Sequence, residues 1–329
     1  MNQCVTKPMK VKRPNKLFHM AMVFALMLLV SARPNQVTTL FVIGDSTAAN
    51  KDISGGKQER GWGMALQCFF DPDYIRVDNH AMNGRSSKSF IDEGRWQKVL
   101  EKIQPGDYVI IQFGHNDEKP KPDRHTDPGT TFDDNLIKFV SETREHGGIP
   151  ILMNSVVRRE WASAASETEA DSLIDTHGLY RIAPRNVAQQ MNCHFVDANQ
   201  ITRDLEQGLG PEGSKRLHMW FLPGEEPSLP DGRQDDTHYN VYGAHQVARL
   251  LADALCQEVP VLKKYRVDAD VTIDRQGRGD YLSLDEALRH IDPLSPCTLQ
   301  LLGGEWERPA LPKKQRLTFV LREGAQWKK

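Results

Sequence analysis

The sequence has 329 residues, 39% of them hydrophobic, and a formal net charge of −2. That is enough apolar material for one large core plus an appendage, and a charge too balanced to attract nucleic acid in general, so no nucleic acid partner is expected. Five cysteines with no CxxC pair argue against a thiolate metal centre or a disulfide scaffold, and Cys68, Cys193 and Cys256 read as small buried hydrophobes.

At the start of the chain, Lys7, Lys10, Lys12, Arg13 and Lys16 precede an apolar run over residues 17–30, and no acidic residue occurs before Asp45. With small residues following at 31–32, this is the layout of a secretory signal peptide over residues 1–32. It predicts a secreted or periplasmic protein with no integral membrane span once the signal is removed. Strand-like runs then occur at 38–43, 74–78, 108–113, 149–154 and 194–196. Helical patterns separate or follow them near 62–70, 90–103, 132–146, 174–191, 201–207 and 242–259. Alternating strands and helices predict a flavodoxin-like three-layer α/β/α sandwich on a five-stranded parallel sheet, followed by a small β-rich C-terminal appendage. Residues 208–236, rich in Gly and Pro, read as a long loop forming a lid or groove wall.

Active groups in such sheets gather beyond the carboxyl ends of the strands. The first strand ends in Gly44-Asp45-Ser46, the second in "NGRSS" and the third in "GHND", so three polar turns converge on one edge. Attack on an ester carbonyl needs a nucleophile, a base, a group that orients the base, and donors for the oxyanion. Ser46, His238 and Asp235 supply the first three. The backbone N–H groups of Ser46 and Gly84 and the side chain of Asn116 supply the donors; glycine lets a backbone N–H approach closely. Asp236 is the alternative orienting acid, although only Asp235 stands three residues before His238. His115 and Asp117 read as turn formers or rim groups with no metal set around them, and His177 as a surface or groove residue.

"GDST" at 44–47, "NHAMNGRSSKSF" at 79–90, "GDYVIIQFGHND" at 106–117 and "DDTHYNVYGA" at 235–244 resemble, in order, the four sequence blocks of the SGNH, or GDSL-type, hydrolases. "NGRSSKS" and the Asp-x-Thr-His ending resemble the rhamnogalacturonan acetylesterase branch. The resemblance covers a domain over residues 37–260 and implies a Ser46–His238–Asp235 triad, an oxyanion hole of Ser46, Gly84 and Asn116, and no metal or organic cofactor. It implies an acetylated pectic polysaccharide or oligosaccharide as substrate, most directly the rhamnogalacturonan backbone. Another acetylated glycan, xylan or peptidoglycan, and a catalytically weak carbohydrate-binding protein are the alternatives.

A galacturonate-rich polymer carries a carboxylate beside nearly every ester, so its groove should hold cations. Arg85, Lys88, Arg158 and Arg159 lie in the turns after the second and fourth strands, Arg85 and Arg158 being the candidates, and Trp220 is either core or a platform for a sugar ring. Residues 265–329 resemble the start of a pectin methylesterase β-helix, in "DVTIDRQGRGDYLSLDEALRHI" and the strands after it. The sequence reading is a truncated first turn, loosely attached, with a possible continuation into a pectin methylesterase domain.

Overall fold

A computed structural model describes residues 37–162, 172–267 and 269–329. The segment read as a signal peptide lies outside the described residues. In chain order the strands are β1 (Thr38–Gly44), β2 (Glu59–Arg60), β3 (Ile75–Asn79), β4 (Tyr108–Gln112), β5 (Ile149–Met153), β6 (His194–Val196), β7 (His218–Phe221) and β8 (Arg233–Asn240). Five more follow: β9 (Val271–Asp274), β10 (Cys297–Leu302), β11 (Glu305–Trp306), β12 (Leu317–Arg322) and β13 (Gln326–Trp327).

The central sheet has the order β3-β1-β4-β5-β6, with every pair parallel. Side chains alternate across a strand, and both faces here are dry. Leu40, Val42, Ile110, Ile151 and Met153 enter one core with Trp62, Leu66, Ala248 and Leu251. Phe41, Ile43, Val109, Ile111 and Leu152 enter the other with Phe90, Trp96, Phe139 and Val187. Helices Trp62–Ala65, Ala198–Gly213 and Val241–Glu258 therefore cover the first face, and Ser87–Asp92, Arg95–Leu100, Thr131–Glu145 and Leu179–Met191 the second. The five-stranded parallel sandwich anticipated from the sequence is present.

Two readings change. The single helix expected over 90–103 is two helices, broken at Gly94, whose φ of 67° lies in the left-handed region. Residues 208–236 are not one loop. Helix Ala198–Gly213 runs on through a kink at Gly210, and β7 and β8 then form an antiparallel sheet with β2, in the order β2-β8-β7. The glycines and prolines that suggested a loop sit at the kink and in the connection between the two strands.

The C-terminal segment is a second β structure. β9, β10 and β12 form a parallel sheet, and β11 pairs with β13 in parallel. β10 and β12 each turn through left-handed backbone, at Gly303-Gly304 and Glu323-Gly324, into β11 and β13. Two similar rungs thus stack, from Cys297↔Leu317 to Trp306↔Trp327. The segment has its own core around Ile273, Leu299, Leu301 and Trp306.

Its attachment is firm, contrary to the expectation of a loose appendage. Residues 37–329 form one compact unit. Leu302 is buried in the hydrolase core. Buried Arg60 donates from Nε to the Gly277 carbonyl at 2.9 Å, and His245 Nδ1 lies 2.7 Å from Asp280 Oδ1. Gln300 Nε2 donates to the Cys68 carbonyl at 3.0 Å, and Arg322 pairs with Asp71 at 2.9 Å. Polar pairing over a shared apolar contact was not visible in a pattern that marks only local structure.

Candidate active site

The turn after β1 is built to hold a serine up. Gly44 is required there because a Cβ would stand 2.7 Å from the Gln112 carbonyl oxygen of β4. Asp45 is fully buried, and its Oδ1 accepts from Thr47 N at 2.9 Å and Thr47 Oγ1 at 2.8 Å. Burial opposes the Asp45 charge, but the adjacent His115 and the Thr47 donors outweigh it and hold the carboxyl below its ordinary range. Ser46, between them, remains half-buried.

Opposite it, β8 delivers the other two groups. Asp235 Oδ1 accepts from the backbone N–H groups of Thr237 (2.9 Å) and His238 (3.0 Å), which fixes the turn between acid and imidazole. His238 Nδ1 lies 2.9 Å from Asp235 Oδ2, and His238 Nε2 lies 2.9 Å from Ser46 Oγ. Hydroxyl, imidazole and carboxylate are in line. With the carboxylate accepting at Nδ1, the tautomer leaves Nε2 free to take the serine proton. Burial would raise the Asp235 carboxyl, yet the bonds from His238 and Thr237 lower it strongly. Asn240 ends the strand by accepting from Gly243 N at 2.9 Å and capping helix Val241–Glu258.

The proposed oxyanion donors occupy neighbouring turns. Met82 N donates to the Gly44 carbonyl at 3.0 Å and docks the 82–85 turn on the end of β1. Gly84 takes a φ of 73° in this turn. Asn116 is buried; its Nδ2 donates to the Arg85 carbonyl at 3.1 Å and its Oδ1 accepts from Lys119 at 3.1 Å. An amide nitrogen carries two protons, so Asn116 has a second one to offer.

Asp236 separates cleanly from Asp235. It accepts from Arg159 Nη1 at 2.7 Å and Trp220 Nε1 at 2.8 Å and takes no part in orienting His238. Trp220 is also occupied, with Arg159 and Lys215 lying over its ring at 5.0 and 4.7 Å from the centroid. Arg85 Nε donates to both carboxylate oxygens of Glu93 at 3.1 Å, and Arg158 pairs with Glu118 at 2.5 Å. All three residues expected to bind substrate are thus engaged within the protein.

His115, His177 and Asp117 are buried, unlike the rim and surface positions the sequence suggested. His115 Nδ1 faces Asp45 at 3.3 Å, its ring meets His177 edge-on at 4.5 Å, and His177 Nδ1 reaches Glu118 at 2.9 Å. Burial pushes the His115 value down to about 4, against the pull of Asp45. Among the described residues, no group of three or more His, Cys, Asp or Glu could hold a metal ion.

Sequence reasoning missed one chain of charges. Arg233 Nη2 donates to Asp235 Oδ2 at 2.5 Å and Nη1 to Glu59 at 2.7 Å; Glu59 pairs with Lys51 at 2.7 Å, and Lys51 donates to Asn83 at 2.6 Å. It joins the acid to the residue before Gly84. The available signal was the two-residue spacing of Arg233 and Asp235, which puts both on one face of a strand.

Fold and sequence together define a carboxylic ester hydrolase. The chain belongs to the GDSL-like Lipase/Acylhydrolase family, which it matches over residues 42–258. It is 39% identical over 223 residues to the rhamnogalacturonan acetylesterase RhgT of Bacillus subtilis, covering 68% of this chain and 90% of that one. A rhamnogalacturonan acetylesterase of Emericella nidulans is 39% identical over 238 residues, covering 66% of this chain and 84% of its own. The solved structure of Bacillus subtilis YxiM superposes with a TM-score of 0.58 at 25% identity, covering 70% of this chain and 59% of that one.

Proposed function

We propose that the protein is an exported esterase that removes acetyl groups from the rhamnogalacturonan backbone of pectin. The observation that carries this reading is the Ser46–His238–Asp235 line at the strand ends of a chain 39% identical to a rhamnogalacturonan acetylesterase. Ser46 Oγ attacks the acetyl carbonyl while His238 Nε2 takes its proton. The N–H groups of Ser46 and Gly84 and the Asn116 amide hold the oxyanion. Collapse breaks the bond to the sugar oxygen, which takes the proton from His238 and leaves as a hydroxyl. Water, deprotonated by His238, then attacks the acetyl-enzyme, and acetate departs as Ser46 recovers its proton.

Export is supported by the basic and apolar composition of residues 1–32. The strand, helix Leu284–His290 and parallel rungs of the tail support reading it as the start of a pectin methylesterase-like β-helix. The test is acetate release from acetylated rhamnogalacturonan, homogalacturonan, xylan and peptidoglycan, with methanol assayed in parallel. Acetate mainly from rhamnogalacturonan and no methanol is the expected result. Preference for xylan or peptidoglycan would overturn the substrate.

A further inference from the structure

Two cavities share one wall beside the candidate site, and their charges are opposite. The first, about 260 Å³, is lined by Lys51, Lys57 and Arg233 against Asp52 and Glu59, with Asn83 at the Gly84 end. The second, about 320 Å³, is bordered by four carboxylates, Glu226, Asp270, Asp280 and Glu286, with no Lys or Arg in its lining. Gln58 lines both. β8 spans the pair, with Arg233 at the first cavity and Asn240 at the second.

The second cavity lies where the hydrolase meets the C-terminal segment. The hydrolase contributes Phe221, Tyr242 and Gln246, and the C-terminal segment contributes Tyr281 and Glu286. Arg216 lies over the Tyr242 ring at 4.3 Å, yet the residue is 37% exposed. Among the described residues, nothing holds the Tyr242 hydroxyl, the Gln246 amide or the Glu286 carboxylate in a hydrogen bond. Aromatic rings beside uncommitted amide and carboxylate groups suit a sugar, whose ring has apolar faces and whose hydroxyls both donate and accept. With four carboxylates and no Lys or Arg in its lining, the second cavity disfavours an acidic sugar, whereas the first, with three cations against two carboxylates, favours one.

We propose that the junction cavity is a distal subsite for an uncharged pyranose of the glycan chain, with its acidic neighbour seated against Lys51, Lys57 and Arg233. The C-terminal segment is then part of the substrate groove. This rests on the polysaccharide esterase reading and adds to it which part of the chain holds the uncharged sugar.

The test uses the full-length chain carrying Ser46→Ala, titrated calorimetrically with a rhamnose-terminated neutral oligosaccharide and with oligogalacturonate. The neutral sugar should bind, and adding either Tyr242→Ala or Gln246→Ala should weaken it at least tenfold. Gln246→Ala, a helix-compatible change, guards against a folding defect in the first variant. Adding Glu286→Lys should favour oligogalacturonate. In Ser46-intact enzyme, the same variants should lower kcat/KM on acetylated rhamnogalacturonan relative to a small chromogenic acetate. Neutral-sugar binding unaffected by both alanine variants, or absent altogether, would overturn the subsite. Binding that persists while wild type releases no acetate from rhamnogalacturonan would overturn the substrate reading alone.

Discussion

Arg233 and His238 donate to the same oxygen, Oδ2 of Asp235, at 2.5 and 2.9 Å. The acid is thereby held from two sides, and its other oxygen is filled by two backbone N–H groups. Arg233 is a positioning residue. Arg233→Gln should lower kcat about tenfold or more on a small acetate ester with a much smaller change in KM, and should move the acid limb of the pH profile. Arg233→Lys, keeping the charge without the fork, should recover part of the loss. A folded Arg233→Gln enzyme with unchanged kcat and pH profile would refute the role.

Ser46→Ala removes the proposed nucleophile at a half-buried turn whose backbone is fixed by Asp45 and Thr47. Esterase activity should fall by about four orders of magnitude or more, with thermal unfolding unchanged. Asp235→Asn should approach that loss because it favours the wrong imidazole tautomer. Full activity in folded Ser46→Ala would remove the mechanism.

Asp117 gives a pH dependence to stability. Its carboxyl is buried, which pushes it up to about 7, while Ser87 and Thr126 donors pull the other way. A carboxyl raised on folding binds a proton between its unfolded value, near 4, and the folded one. Its contribution to stability is therefore fully present below about pH 4 and is lost as pH rises to about 7, by a few kcal/mol at most. Denaturant unfolding of wild type and Asp117→Asn at pH 5 and pH 8 isolates the effect. Wild type should lose stability relative to the variant at the higher pH, and parallel behaviour would contradict this.

Deleting residues 265–329 should destabilise the hydrolase. The cut removes Leu302 from the hydrolase core and the acceptor for buried Arg60 Nε, the latter alone costing about 1–3 kcal/mol. Calorimetry should show a melting temperature lower by several degrees, or the truncated chain should aggregate. An unchanged melting temperature would show that the contacts are incidental.

The central sheet was legible because each of its strands is an apolar run bounded by turn residues, as at residues 38–44 and 108–112. Ser46 was legible because a Gly-Asp-Ser turn closes an apolar strand run, and Asp235 and His238 because of their three-residue spacing within a recognisable sequence block. β8 was not, since "RQDDTHYN" has no hydrophobic period: its side chains form the site and its contacts. Arg85, Arg158 and Trp220 show the limit. A charge or ring in a turn indicates availability, and only the fold reveals that Glu93, Glu118 and Asp236 already hold them.

β2 is two residues long, and its two side chains face different tasks. Arg60 reaches Gly277 in the C-terminal segment, while Glu59 reaches Arg233 and through it Asp235. A few contacts thus link the C-terminal segment to Asp235, while the central sheet is dry on both faces. On slow heating, the enzyme should lose turnover at temperatures where the backbone amides of β1 and β4 are still protected from hydrogen exchange.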